Sequence, residues 1–134
     1  MRRALWPHEG AEDLDEEVER FFSGAGKEPA AVLLAVDGSG AAVGMIELSI
    51  RAYAEGCRSE GVAYVEGWYV EPGARGLGAG RALMRAAEDW GRAQGCEEIA
   101  SDAEIENEAS ARAHAALGFE DAGVIRCFRK ELQR

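Results

Sequence analysis

Apolar and polar positions change period several times along the chain, and each change predicts an element. Residues 11–23, AEDLDEEVERFFS, place Leu14, Val18, Phe21 and Phe22 at helical spacing beneath an acidic outer face. The acidic first turn and the Gly24–Gly26 stop complete a helix there. AAVLLAV (30–36) and AAVGMIELSI (41–50) flank DGSG (37–40), which predicts a hairpin because Asp-Gly is a strong tight-turn signal. A polar loop over 51–61 follows. VAYVEGWYV (62–70) is too apolar on both faces for a solvated sheet edge and predicts a third, interior strand. The chain then breaks into glycines and re-emerges as a helix with Leu83, Ala87, Trp90 and Gln94 on one stripe and Gly95 as its stop. EEIASDA (97–103) predicts a short fourth strand and NEASARAHAAL (107–117) an alanine-rich helix closed by Gly118. Two short strands, at 119–121 and 124–132, complete the prediction.

The β-α-β unit from 62 to 101 requires a parallel, right-handed crossover, with a ligand-prone crevice at the strand ends. The fold class is therefore α/β with a mixed sheet, and 134 residues fit one domain over 1–134. Composition adds exclusions. A net charge of -10, from 25 acidic and 15 basic residues, disfavours nucleic acid, whose phosphates need a basic face, and suits a cationic ligand. Cys57, Cys96 and Cys127 form no C-x-x-C pair that would hold zinc, and an odd, widely spaced set makes a poor disulfide framework. They read as reduced thiols of a cytoplasmic protein. MRRALWPHEG lacks the apolar core of a signal peptide, and no run approaches 18 apolar residues, so neither export nor a membrane span is expected. His8 reads as an exposed loop residue.

The stretch VEPGARGLGAG (70–80) carries the most specific chemistry, because glycines before a helix expose backbone N–H groups that bind anions. A Walker loop requires Lys and Ser/Thr after its last glycine, where this chain has Arg81 and Ala82. A dinucleotide fingerprint requires G-x-G-x-x-G, whereas the glycines here stand at 76, 78 and 80. Asp102 does stand where a ribose-binding acid would, but only one β-α-β unit is present. A glycine-rich turn without a ligand is the third reading. The fourth fits every position. Arg75-x-x-Gly78-x-Gly80 resembles the pyrophosphate loop of the GNAT superfamily of N-acetyltransferases, supported by Val70 and Pro72 before it and ALGFE at 116–120. The resemblance runs from about residue 30 to the C-terminus. LWP (5–7), SIR (49–51), EGC (55–57), VEGWYV (65–70), WGRAQGC (90–96), ASDAEIEN (100–107) and ARAHAALGFE (111–120) narrow it to aminoglycoside 6'-N-acetyltransferases.

That resemblance implies acetyl-CoA as co-substrate, held without a metal by the backbone of Gly76, Leu77, Gly78, Ala79, Gly80 and Arg81, with Arg75 beside them. It implies a sheet that splays between the family's fourth and fifth strands, here 62–70 and 97–103. The pantetheine arm fills that gap, beside main-chain groups of Trp68 and Val70. Asn107 stands where a pantetheine contact is expected, or it caps the helix. His114 replaces the superfamily's usual tyrosine; it either protonates the leaving thiolate or packs on the pantetheine. The family's first strand has no counterpart at the start of this chain: either the sheet lacks that edge strand, or the start is truncated relative to relatives. The edge of AAVLLAV would then need a loop or a second copy to cover it, and a homodimer is expected.

Transfer to a cationic small-molecule amine requires a neutral nitrogen, so a group must take its proton. Glu66 and Asp102, on the two strands that flank the splay, are the candidates, with Asp102 matching the Ser-Asp acid of the resembling enzymes. Each has a plainer reading: Glu66 as a solvated strand residue, Asp102 as a helix cap. Glu120 is a further acid for the acceptor's other ammonium groups, and Trp6 and Tyr53 are candidates to stack on its rings. Glu104, Glu106 and Glu108 are explained by the helix dipole alone. The cysteines lack a basic or His-paired setting, which argues against a covalent acetyl-enzyme. Another small amine, a polyamine or a protein amine remains an alternative acceptor, and a non-catalytic CoA-binding module the alternative class.

Overall fold

The computed structural model describes residues 1–5 and 29–133; the helix predicted over 11–23, together with Trp6 and His8, lies outside the described residues. In chain order the described elements are α1 (Arg2–Leu5), β1 (Ala31–Val36), β2 (Ala42–Arg51), β3 (Val62–Val70), a 3-10 turn (Pro72–Ala74), α2 (Ala79–Ala93), β4 (Ile99–Ser101) and α3 (Glu108–Ala116). Residues 1–102 and 103–134 form two compact units. No helix among the described residues is long and apolar enough to cross a membrane.

The first unit is built on a four-stranded sheet in the order β1-β2-β3-β4. β1 and β2 form the hairpin, closed by Asp37, whose Oδ1 accepts from the amides of Ser39 (2.9 Å) and Ala41 (3.1 Å) and from the Ser39 hydroxyl (2.6 Å). Gly40 takes φ +85°, which that turn reserves for glycine. β2 pairs antiparallel with β3, and β3 pairs parallel with β4, as the crossover requires. Ile46, Leu48, Val62 and Ala63, at the centre of the sheet, are fully enclosed. α2 covers one face with Leu83, Met84, Ala87 and Gly91. The predicted stripe is thus rotated: Trp90 is half-buried and Gln94 exposed, while Met84 and Gly91 face the sheet. Two glycines permit this approach. A Cβ on Gly44 would lie 3.0 Å from Leu83 Cδ1 and 3.1 Å from the Tyr69 carbonyl oxygen, and one on Gly91 would lie 3.0 Å from Ala63 Cβ.

Two irregularities of the sheet set the course of β3 towards the glycine loop. Glu47 pairs with Gly67 and Leu48 with Val65, so Glu66 is an extra residue in β3, a β-bulge that re-aims its side chain. The parallel ladder joins only Ala63, Tyr64 and Val65 to Ile99, Ala100 and Ser101. β3 then continues through Glu66–Val70 without β4 beside it, which is the expected splay. The fourth strand is accordingly shorter than the predicted 97–103.

Both glycine stops are Schellman caps. Gly95 (φ +85°) donates to Arg92 O (3.0 Å) and Cys96 to Gly91 O (2.9 Å), ending α2. In the second unit Gly118 (φ +92°) donates to Ala115 O (3.1 Å) and Phe119 to His114 O (3.1 Å), ending α3. The strands predicted at 119–121 and 124–132 are not found: residues 119–133 carry no strand, and Val124, Ile125, Phe128 and Leu132 are exposed. Apolar content alone does not make a strand, which needs a neighbouring strand to complete its hydrogen bonds, and none of the described residues supplies one.

The 52–61 loop is tied to the strand region by Glu98. Its Oε1 accepts from the amides of Arg58 (2.9 Å) and Ser59 (2.7 Å) and from the Ser59 hydroxyl (2.5 Å). These donors, the Ser59 hydroxyl foremost, lower the carboxyl from its ordinary 4.5 to about 2. A carboxyl lowered on folding stabilises the fold fully above its unfolded value and loses that contribution as pH falls through the folded one. The loop should therefore be held above about pH 4.5 and released towards pH 2. Glu98→Gln should speed amide exchange at Arg58 and Ser59 several-fold at neutral pH, and unchanged protection would refute the tether. In the core, Gly44→Ala should lower the unfolding free energy by about 1–3 kcal/mol. Gly38→Ala, with nothing within 4 Å of the new Cβ, should stay within about 0.5 kcal/mol of the parent. Urea unfolding measures both, and equal midpoints would contradict the close-packing account.

Candidate functional site

The glycine loop leaves the end of β3 and enters α2. Arg75 folds back so that its Nε donates to Val70 O at 2.8 Å, and its guanidinium lies 5.4 Å from the Tyr69 ring centroid. The arginine thus closes the loop on the strand that launched it. Gly76 and Gly78 adopt φ +81° and +91°, conformations in which a side chain is strained. Leu77 between them is 81% exposed. α2 starts at Ala79, and its first helical bond runs from Ala82 N to Gly78 O (3.0 Å). The amides of the preceding turn have no intrahelical acceptor and stand at the positive end of the helix dipole, where an anion is stabilised. Trp68 supports this start from below: its indole Nε1 donates to Gly80 O (3.2 Å), and its ring lies 3.4 Å from where a Gly80 Cβ would sit. Arg81 is exposed on the first turn.

The face of the sheet opposite α2 carries charge. Strand alternation puts Gly44, Ile46 and Leu48 towards α2 and Glu47, Ser49 and Arg51 away from it. Glu47 is 3% exposed and paired with Arg2 Nε at 2.8 Å. The bulged Glu66 accepts from the Ser49 hydroxyl and is gripped by Arg51 in bidentate fashion, Nε to Oε2 at 2.9 Å and Nη2 to Oε1 at 2.7 Å. Burial pushes the Glu66 carboxyl up, but the Arg51 and Ser49 hydrogen bonds outweigh it and leave the group below its ordinary value. Such a carboxylate keeps its charge and takes up a proton poorly. Arg51 also stacks over the Tyr64 ring, 3.6 Å from its centroid. The Tyr64 hydroxyl donates to Asp102 Oδ2 at 2.5 Å. The two predicted acids, Glu66 and Asp102, thus belong to one network spanning β2, β3 and the residue after β4.

In the second unit, Asn107 caps α3: its Oδ1 accepts from Ser110 N at 3.0 Å. That is the plainer of its two roles, and it occupies the side-chain oxygen. His114 Nδ1 lies 2.7 Å from Ser110 O, and since a carbonyl only accepts, Nδ1 carries the proton. Phe119 meets the imidazole edge-on, with ring centroids 5.1 Å apart. ALGFE therefore has a local reason: Gly118 turns the chain and Phe119 fixes the His114 ring. Glu120 and, in the first unit, Tyr53 are exposed. Trp6 lies outside the described residues.

Ser49, Arg51 and Tyr64 are the residues the sequence reading missed. A signal existed, because an acid inside an apolar strand calls for a cation on the neighbouring strand, and SIR supplies one. No cluster of three or more His, Cys, Asp or Glu among the described residues is placed to hold a metal ion.

Comparison with known proteins places this arrangement. Residues 1–119 match the Acetyltransferase (GNAT) family. The chain is 52% identical over 132 residues to Aminoglycoside N(6')-acetyltransferase type 1 of Klebsiella aerogenes, covering 98% of this chain and 87% of that protein. It is 38% identical over 134 residues to the enzyme of that name from Stenotrophomonas maltophilia, covering 99% and 84%. Among solved structures it resembles AAC(6')-Iy in complex with the bisubstrate analog CoA-S-monomethyl-acetylneamine, with a TM-score of 0.86, 33% identity, and coverage of 98% of this chain and 88% of that one. It also resembles apo AAC(6')-IG from Acinetobacter haemolyticus, with a TM-score of 0.82, 34% identity and the same coverage. The glycine loop, the splayed sheet and these matches along nearly the whole chain lead to one conclusion: the protein belongs to the GNAT acetyltransferase family.

Proposed function

We propose that the protein transfers the acetyl group of acetyl-CoA directly to the 6'-amine of an aminoglycoside. The observation that carries this reading is the 52% identity to an aminoglycoside N(6')-acetyltransferase across 98% of the chain. The loop fits the co-substrate. Two left-handed glycines and a helix N-terminus make a cradle for a pyrophosphate, and Arg75 holds the cradle shut against Val70. Residues Gly76–Arg81 would hold the phosphates, and the gap beside Glu66–Val70 would take the pantetheine. Acetyl-CoA supplies an activated thioester.

The chain's own groups handle the acceptor. An aminoglycoside amine is mostly protonated at neutral pH, so it must lose a proton before its nitrogen bonds to the acetyl carbon and the carbon–sulfur bond breaks. Asp102, exposed just beyond the β3–β4 ladder, is the acid placed to bind the ammonium and receive that proton, directly or through water. Glu66, already neutralised by Arg51, acts on the acceptor only through the field of the pair. His114 offers its imidazole to the departing thiolate or packs beside it. Tyr53, Glu120 and Trp6 remain proposed contacts to the acceptor's rings and other ammonium groups. We place the enzyme in the cytoplasm, where acetyl-CoA is available. A homodimer is supported by the exposed Val124, Ile125, Phe128 and Leu132 of the C-terminal segment, which a second copy would cover.

Free-thiol release from acetyl-CoA, measured with neamine, spermidine and lysine peptides, tests the reading. Release with neamine is expected. Release only with spermidine or a peptide would reassign the acceptor, and CoA binding without release would indicate a binding module. Asp102→Asn should lower kcat by about 100-fold or more while CoA affinity stays within about twofold, since no part of the loop is touched. An unchanged kcat would reduce Asp102 to a structural residue.

A further inference from the structure

The charged face beside the splay contains a buried tyrosine that the proposed reaction does not use. We propose that Tyr64 is a positioning residue for the acceptor amine: its hydroxyl pins one oxygen of Asp102, and the other oxygen is thereby presented to the incoming ammonium. This rests on the acceptor reading above and deepens it.

Asp102 follows the last paired residue of β4, Ser101, and is itself exposed, so the sheet alone does not fix its carboxylate. Tyr64 does. The residue is 7% exposed, seated among Ala54, Val62, Cys57 and Ala100, with the Arg51 guanidinium stacked over its ring. The hydroxyl at the end of this held ring donates to Asp102 Oδ2 at 2.5 Å, a charge-assisted bond that leaves Oδ1 to a second donor. Arg51 cannot drift away, because Glu66 grips it at two points. The same clamp divides the labour between the two acids. Glu66 has its cation built in, while Asp102 has no ion-pair partner among the described residues. Burial, followed by the bond to Asp102, pushes the Tyr64 hydroxyl far above its ordinary range, so it orients rather than exchanges protons.

A double-mutant cycle isolates this role. The readouts are the Kd of neamine for the CoA complex by calorimetry, and kcat and KM for neamine. Tyr64→Phe keeps the ring and removes the hydroxyl. It should weaken neamine binding and raise KM by about tenfold, with CoA affinity unchanged and a smaller effect on kcat. In an Asp102→Asn background the same substitution should cost less than about twofold. A purely structural tyrosine would cost the same in both backgrounds, and that result, or no cost in the parent, overturns the proposal. Asp102→Glu provides a second arm. It keeps the charge but carries the carboxylate past the Tyr64 hydroxyl, so neamine binding should again fall about tenfold; parent-like binding would overturn the proposal. If the parent binds no neamine but acetylates another amine of the panel, the acceptor reading fails while the same cycle with that amine still decides the role of Tyr64.

Discussion

The unequal lengths of two neighbouring strands set the rest of the site. β3 runs over nine residues and β4 over three, so the parallel ladder between them ends at Val65 and Ser101. Beyond that point the backbone of Glu66–Val70 has β2 on one side and, among the described residues, no strand on the other. Strand backbone left in this way needs another polar partner, which is why a gap of this kind suits an extended, amide-bearing ligand arm. The same ending frees Asp102 from the sheet and directs β3 into the glycine loop. Glycine loop, gap and the free position of Asp102 are thus consequences of a single mismatch.

Local devices then hold each part rigid. The loop is closed by one arginine on a main-chain oxygen, which fixes backbone rather than side chain and so survives variation at exposed Leu77. Trp68 grips the first turn of α2 through Gly80. The Arg51–Glu66 pair is part-exposed, with side-chain exposures of 43% and 27%, and pairs of that kind add little to stability. Its bidentate geometry and its stacking on Tyr64 instead specify where a guanidinium and a phenol stand. The Glu47–Arg2 pair differs: at 4% and 18% exposure it is buried, where breaking an ion pair costs more than at the surface.

Much of this was legible in the chain. The hairpin and the third strand match prediction to within a residue, because Asp37-Gly38 and the apolar run at 62–70 are local signals that tertiary packing did not need to override. The stops at Gly95 and Gly118 were equally local, and each is a left-handed cap. The fourth strand and the two final ones were less legible, since a strand exists only where a neighbour accepts it. The Tyr64–Asp102 bond joins residues 38 apart in sequence and depends on a three-residue register that no periodicity encodes. The Glu66 bulge was hidden for the same reason. VAYVEGWYV shows an acid among apolar residues, but only the slip opposite Glu47 and Leu48 turns that acid towards Arg51.

Net charge separates the roles of long-range and short-range electrostatics. A charge of -10 favours encounter with any polycation and discriminates among few of them. At physiological salt exposed charges are screened beyond about 8 Å, so in the proposed reaction the choice of amine falls to the carboxylates near the gap. Two stand there, and they differ in what already binds them. Glu66 is satisfied by a fixed guanidinium, and a substrate ammonium would have to displace it with the loss of two hydrogen bonds. Asp102 is held by a neutral hydroxyl, which orients it without forming an ion pair, and Arg51 acts on it only through its field. In the proposed reaction, the partner of each acid, rather than its own identity, therefore assigns its part.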